Sequence, residues 1–509
     1  MTARSQEAFF GAAMEPKNLL LIMADEHSRR VLGCYGHPIV STPNLDRLAA
    51  RGVRFSDAYC NSPICVPSRA SFATGRYVHQ IRFWDNATPY DGTVTSWAHR
   101  LRRQSHQCVS IGKLHYRRTE DDNGFADQIM PLHVAEGIGD LLGLIRDELP
   151  VRSACLRLAQ TAGPGNSDYQ DYDSAVTTAA QKWLRSAAAR PHKPWVLFVS
   201  FACPHYPLIA RQEFYDLYSE QEMPLPALYA AAERPDHPYI RALRECMVFD
   251  QAFDERKIRR AIAAYLALVS FVDHNVGRIL QTLDEVGLSH ETRVIYTSDH
   301  GDNLGARGLW GKSTFYEESA GVPLIIAGPG ISQNVVCREP MSLIDMFPTI
   351  VDCVGADRAA EDRDLPGCSL FEVMRGTESH RPVFCEYHAA GAITGAFMVR
   401  HEQFKFMHYV GMAPMLFDLE RDPNEANDLA TRVEYRQQLQ RSLALLLNVV
   451  DPDRINQLAR ADQEARITCF GGRDVILARG GFGHSPVPGK KPAFAPPTPP
   501  TRGGTDRPG

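Results

Sequence analysis

The sequence predicts an α/β protein: a central, mostly parallel sheet between helices, followed by a smaller α+β subdomain. Three observations carry this prediction. Short continuous apolar runs recur and end in polar, chemistry-bearing residues; helix signals fall between them; and after about residue 375 the runs become short and closely spaced. Residues 18–24, N-L-L-L-I-M-A, read as a strand buried on both faces that delivers Asp25 and Glu26 at its C-terminal end. Thr42 then Pro43 reads as an N-cap with proline at the first helical position, and Gly52 as the stop of that helix. Residues 195–202, W-V-L-F-V-S-F-A, repeat the buried-strand pattern and end in Cys203-Pro204-His205. Residues 257–286 read as a longer helix whose Leu266, Val269, Val276, Ile279, Leu280 and Leu283 make a stripe for the sheet. The run 293–298, R-V-I-Y-T-S, ends in Asp299-His300-Gly301, and 322–328 is a further run of the same kind. In such a fold ligands gather outside the carboxyl ends of the strands.

Beyond residue 375, P-V-F-C-E-Y-H, G-A-F-M-V-R and F-K-F-M-H-Y predict short strands, followed by a D-P-N-E-A-N-D-L turn and an amphipathic helix near 432–449. Eight prolines lie among the last 25 residues, from Ser485 onward, and predict a polyproline-like or disordered tail with nothing to bury. The chain therefore divides into an N-terminal extension, 1–14, a large α/β domain, 15–375, a C-terminal α+β subdomain, 376–484, and a proline-rich tail, 485–509.

Composition narrows the function classes. A chain of 509 residues with 44% hydrophobic and 23% charged residues has ample core for several structural units. Sixty Asp and Glu against 55 Lys and Arg leave no broad basic footprint for nucleic acid. The twelve cysteines show no C-x-x-C or zinc-ribbon spacing and read as reduced small hydrophobes. There is neither a secretory apolar run at the N-terminus nor a stretch fit to span a bilayer, so the expectation is a cytoplasmic protein without membrane or nucleic-acid partners.

The most informative stretch is Cys65-Val66-Pro67-Ser68-Arg69-Ala70-Ser71-Phe72-Ala73-Thr74-Gly75-Arg76. Pro67 suits a first helical turn, which places Cys65 at a helix N-terminus, where free N–H groups favour an anion, with Arg69 close by. That setting would depress a thiol pKa and make Cys65 a thiolate nucleophile; the bland alternative is one more buried cysteine. Asp25 and Glu26 at one strand end and Asp299 and His300 at another can converge on one divalent cation, with oxygen-rich ligation suiting Ca²⁺ and a histidine ligand leaving Mn²⁺ open. Lys113 and His115, in G-K-L-H, put two donors on one side of an extended segment.

C-x-P-S-R followed by A-S-F-x-T-G resembles the signature of the type I, formylglycine-dependent sulfatases of the alkaline phosphatase superfamily. The blocks I-M-A-D-E-H, T-P-N-L-D-R-L-A-A-R-G-V-R-F, G-K-L-H, C-P-H and S-D-H-G-D, in that order, are similar to successive blocks of that family. The resemblance implies an alkaline-phosphatase-like sandwich and hydrolysis of an organic sulfate monoester to alcohol and sulfate. It implies that Cys65 is converted to formylglycine by a formylglycine-generating enzyme, and that its hydrate attacks sulfur. It makes Asp25, Glu26, Asp299, His300 and the modified Cys65 ligands of a divalent metal, Ca²⁺ first, with Mn²⁺ or Mg²⁺ as alternatives. Glu26 stands where Asp or Gln is more usual. Arg69, Lys113, His115, His205 and Lys312 are the implied sulfate-contacting and proton-transferring residues. Asn86, in W-D-N-A, and Glu386, in E-Y, resemble positions near the organic-substrate pocket of choline-sulfatase-like members, where acidic and aromatic groups suit a quaternary ammonium.

Competing readings are a phosphonate monoester hydrolase or phosphodiesterase of the same superfamily, a catalytically silent oxyanion-binding homologue, and a metal-independent cysteine hydrolase. A homo-oligomer is expected, with the tail able to reach a neighbour.

Overall fold

The computed structural model describes residues 15–189, 193–378 and 381–495. The predicted N-terminal extension and residues 496–509 of the predicted tail lie outside the described residues.

An eight-stranded sheet forms the centre. Its strands are β1 (Asn18–Asp25), β2 (Gly52–Phe55), β3 (Cys108–Lys113), β4 (Asp127–Leu132), β5 (Val196–Pro204), β6 (Thr292–Ser298), β7 (Leu324–Ala327) and β8 (Val335–Cys337). They lie in the order β8-β2-β7-β6-β1-β5-β3-β4. Every residue of β1, β5 and β6 is buried, as their unbroken apolar runs require of strands covered on both faces. β1 pairs in parallel with β5 and β6, and β3 in parallel with β4 and β5. The exception is β7, the 322–328 run, which is antiparallel to both of its neighbours.

Helices cover both faces. The long helix predicted near 257–286 spans Glu255–Glu285 and is capped by Asp254, whose side chain accepts from Lys257 N. With the helix Asp168–Ala187 it covers one face; Cys65–Thr74, Trp97–Arg103 and Met346–Val354 lie against the other. The early helix spans Pro43–Ala50 with Pro43 at its first turn, but Thr42 makes no capping bond to it. Its end is also different from the reading above: Arg51 caps it, and Gly52 opens β2. Glycine is needed there because a Cβ would stand 2.1 Å from the Ile326 carbonyl oxygen of the adjacent strand.

The C-terminal runs form a four-stranded antiparallel sheet, Val383–Tyr387, Ala396–His401, Phe404–Tyr409 and Met415–Asp418, packed against the helix Arg436–Val449. Two helices that the sequence reading did not single out, Pro452–Cys469 and Arg473–Arg479, lead the chain back to the large domain. There the expectation of a tail with nothing to bury fails for its first part. Gly481 and Ala495 pair across an antiparallel bridge, Ser485 is buried, and the segment between lies over the carboxyl ends of the strands. No described helix is long and apolar enough to cross a membrane, and the twelve cysteines are free.

Candidate active site

The site begins where β1 ends. Asp25 closes the strand, and Glu26 turns the chain at φ 65°, a conformation costly for a non-glycine residue, with its N–H donating to Asp299 Oδ1 at 3.1 Å. Asp299 and His300 follow β6, the parallel neighbour of β1, so the sheet itself brings the two acidic turns together. Cys65 is the first residue of its helix, which is buried along its whole length. Its Sγ lies 3.2 Å from His300 Nε2 and 3.6 Å from Asp25 Oδ1. Ligand atoms of Asp25, Cys65, Asp299 and His300 all lie within 4.8 Å of one another.

Cations hold these acids. One helical turn past Cys65, Arg69 places Nε 2.7 Å from Asp299 Oδ2 and Nη2 3.0 Å from Asp25 Oδ2, while Nη1 donates to the Lys113 carbonyl and to Ser200 Oγ. Lys113 Nζ lies 2.9 Å from Asp25 Oδ2. Lys312 Nζ reaches Glu26 Oε2 at 3.0 Å and Cys65 Sγ at 3.2 Å. Burial pushes the Asp25 carboxyl up, but Lys113, His205, Arg69 and Lys312 together carry it well below the ordinary carboxylate range. Glu26 goes the other way: burial raises it well above that range, and Lys312 only partly offsets the effect.

The Cys65 thiol does not behave as the helix N-terminus alone suggests. Burial, with the Asp25 charge behind it, pushes it up to about 11 despite Lys312 and Lys113. Unmodified Cys65 is therefore a neutral thiol, contrary to the depressed pKa expected from the sequence.

The donor set fits a hard or borderline divalent cation. His300 Nδ1 lies 3.0 Å from the Gly301 carbonyl, which fixes the ring proton there and leaves Nε2 a lone pair facing Cys65. The acids Asp25, Glu26, Asp299 and Asp302 face three fixed cations, Arg69, Lys113 and Lys312, and the buried Glu26 Oε1 has no hydrogen-bond partner. Glu26 groups with Asp25 and His205 rather than with the Cys65 cluster.

Residues 17–356 match the Sulfatase family, and residues 305–451 match the family described as N-sulphoglucosamine sulphohydrolase, C-terminal. The chain belongs to the sulfatase family. A choline-sulfatase of Rhizobium meliloti (strain 1021) is 32% identical over 421 residues, covering 81% of this sulfatase and 82% of the relative. Arylsulfatase K of Bos taurus is 29% identical over 464 residues, covering 85% and 82%. The crystal structure of the phosphonate monoester hydrolase of Agrobacterium radiobacter superposes with a TM-score of 0.70 at 25% identity, over 88% of this chain and 96% of the other. The protein is a sulfuric ester hydrolase with the alkaline-phosphatase-like fold that its motifs implied.

Within this sulfatase the remaining sequence candidates separate. His205 follows β5; its Nδ1 bonds the Tyr206 carbonyl at 2.7 Å, and its Nε2 lies 3.2 Å from Glu26 Oε2. Lys113 and His115 do not share one side of an extended segment: Lys113 ends β3, and His115 turns at φ 58°, so the first side chain meets Asp25 and the second meets Ser485. Burial, with Lys113 next in weight, holds His115 well below the ordinary histidine range. Asn86 accepts from Val66 N at 3.1 Å, steadying the first turn of the Cys65 helix, and lines a cavity of about 380 Å³ beside Lys312. Glu386 does not join that lining. It is fully buried and accepts from His79 N, from His79 Nδ1 at 2.8 Å and from His388 Nε2 at 3.1 Å.

Several residues that the sequence reading passed over complete the site. Asp302 accepts from Gly311 N, and Asn303 Nδ2 donates to the Gly311 carbonyl, so the D-N of G-D-N-L shapes the turn that carries Lys312. Gly311 takes φ +64° there, beside Glu26 Oε1. Tyr169, on the helix Asp168–Ala187, sets its ring 5.6 Å from Lys113 Nζ; nothing in its local sequence marks it.

Proposed function

We propose that this sulfatase hydrolyses an organic sulfate monoester with a formylglycine made from Cys65 by a formylglycine-generating enzyme, beside a divalent cation held by Asp25, Asp299, His300 and the modified residue. The observation that carries the reading is the position of Cys65 Sγ, which lies against His300 Nε2, Asp25 Oδ1 and Lys312 Nζ at 3.2, 3.6 and 3.2 Å. Hydrated formylglycine supplies one hydroxyl to attack sulfur and a second through which sulfate is expelled and the aldehyde restored. A bound cation, Ca²⁺ on the oxygen-rich donor set, supplies Lewis-acid stabilisation of charge on the sulfuryl oxygens.

The protein's own groups divide the remaining work. Lys312, within reach of whatever stands at residue 65, binds a sulfuryl oxygen, and Lys113 adds charge from the Asp25 side. Arg69 acts through others: its bonds to Asp25 and Asp299 hold those carboxylates in place. His205 holds its Nδ1–H on the Tyr206 carbonyl and turns Nε2 to Glu26 Oε2 at 3.2 Å; burial keeps the Glu26 carboxyl protonated, so its proton passes to Nε2 and from there to the departing alcohol oxygen. His115, kept neutral, takes the proton from the second hydroxyl at Nδ1, the ring nitrogen without a partner.

The cavity of about 380 Å³ takes the alcohol. Its walls include Tyr169, Tyr206, Phe249 and Trp310, suited to an organic group of modest size. The likeness to a phosphonate monoester hydrolase makes phosphonate monoesters the competing substrates to assay alongside sulfate esters. The test of the reading is the mass of the tryptic peptide Phe55–Arg69 from protein made with the maturation enzyme: conversion of Cys65 lowers it by about 18 Da. A full thiol in catalytically active protein would sink the proposal.

A further inference from the structure

The segment after the last helix closes on itself and on the site. Gly481 N donates to the Ala495 carbonyl at 2.9 Å, Ala495 N donates back to the Gly481 carbonyl at 2.7 Å, and Phe482 packs edge-on against Phe494. Between these ends the chain runs across the cavity, contributing Phe482, His484, Pro486 and Val487 to its lining, and Lys490 pairs with Asp168 at 2.6 Å. At its deepest point Ser485 makes two contacts with the active site. Its carbonyl accepts from Tyr169 OH at 2.7 Å, and its Oγ lies 2.7 Å from His115 Nε2. The Tyr169 ring in turn lies beside Lys113 Nζ and packs edge-on to His205.

We propose that Ser485 is a positioning residue for hydrolysis: its Oγ accepts a hydrogen bond from His115 Nε2–H, which holds the ring and leaves Nδ1 bare, while the strap 481–495 fixes Ser485 in place. This rests on the role given to His115 above. The argument is one of proton placement. A neutral imidazole carries a single N–H, and the partner of one nitrogen decides what the other presents. Among the described residues Ser485 Oγ is the only side-chain partner of the His115 ring, whose Nδ1 is buried without one. Removing the hydroxyl leaves a buried ring with neither orientation nor tautomer set. Proline-rich sequence serves the strap, because fixed backbone angles reduce the freedom lost when a loop closes over a site.

The test uses full-length protein, with sulfate ester turnover and diethyl pyrocarbonate labelling of the tryptic peptide Leu114–Arg117 measured side by side. Ser485→Ala should lower kcat about 10- to 100-fold with KM within about threefold, as loss of an orienting partner does, and Ser485→Thr should recover to within about threefold of wild type. Unpinning the strap with Phe482→Ser and Phe494→Ser together should raise the labelling rate of His115 at least about tenfold, because a neutral imidazole reacts once exposed. An unchanged kcat in Ser485→Ala, an equal loss in Ser485→Ala and Ser485→Thr, or a rise in KM alone would overturn the role of Ser485. Equal labelling of wild type and the unpinned variant would overturn the closed strap. Wild-type protein that protects His115 yet turns over no ester would sink the hydrolytic reading of the site, and with it the catalytic purpose given to Ser485, while leaving the strap itself in place.

Discussion

Arg69 Nε lies 2.7 Å from Asp299 Oδ2, with both side chains almost wholly buried. The pair ties the Cys65 helix to the end of β6, and the same guanidinium reaches Asp25 at the end of β1. Three separate parts of the chain thus meet on one planar cation.

Breaking that clamp leaves buried Asp299 without its paired cation and strips buried Asp25 of one of its cations. Arg69→Ala is expected to cost about 3–5 kcal/mol of stability, read as a lower urea midpoint. Arg69→Lys should recover only part of this, because a single ammonium cannot serve Asp299, Asp25 and Ser200 with fixed geometry. A midpoint unchanged in Arg69→Ala would show that the carboxylates do not depend on it.

Unconverted Cys65 should be a poor nucleophile. With its thiol pushed up to about 11, about 0.1% is thiolate at pH 8. Iodoacetamide is expected to label it at least about tenfold more slowly than the exposed Cys469, followed by peptide mass on protein made without the maturation enzyme. Faster labelling of Cys65 would revive thiolate chemistry at this position.

Lys312 touches both Glu26 and Cys65, so Lys312→Met removes a charge aimed at the reacting centre. A fall in kcat of about 10²- to 10³-fold is expected with sulfate esters. Its removal also leaves Glu26 less opposed, and the Glu26 carboxyl should titrate higher still. An unaltered kcat would remove Lys312 from the chemistry.

Chelation offers a test of the cation independent of turnover. Metal-bound protein at about 100 times its dissociation constant gains about 2.7 kcal/mol, so EDTA should lower Tm and Ca²⁺ should restore it. Asp25→Asn and Asp299→Asn should abolish the EDTA effect. If Mn²⁺ restores Tm and Ca²⁺ does not, the assignment of the metal changes; if EDTA leaves Tm unmoved, the donor set holds no ion.

Stability should fall in mild acid, and His27 isolates one contribution. Burial holds its pKa down to about 4, against an ordinary 6.5, while Tyr296 OH and the Val31 carbonyl bond the neutral ring. The unfolded chain binds the proton first, so this contribution is complete above pH 6.5 and drains as pH falls towards about 4, at up to about 1.4 kcal/mol per pH unit. His27→Gln should flatten the slope of unfolding free energy over that window. Identical slopes would mean that the ring is already charged in the folded protein.

Much of the site was legible because it sits at the ends of buried strands. The runs before Asp25, His205 and Asp299 needed only their apolar continuity to be read as strands, and parallel pairing brought their ends together. The Cys65 helix could be read from Pro67, but not the state of its thiol, since burial and the Asp25 charge arise only when distant segments meet. Glu386 illustrates the same limit: its partners His79 and His388 are assembled by the fold, and they turn it away from the cavity. The strap was illegible for a different reason. Proline density describes how a segment behaves alone, whereas Ser485 is held by His115 and Tyr169, 370 and 316 residues earlier in the chain.

The complete burial of the Cys65 helix also sets a timetable. Once folded, Cys65 is 1% exposed, so the maturation enzyme proposed above would have to meet this stretch as open chain. About 420 residues separate Cys65 from Ser485, and at roughly 5–20 residues per second their synthesis lasts about 20–80 s. On the proposed conversion, oxidation of the cysteine would compete with the chain's own folding, and conditions that slow translation should raise the converted fraction, read from the mass of the peptide Phe55–Arg69.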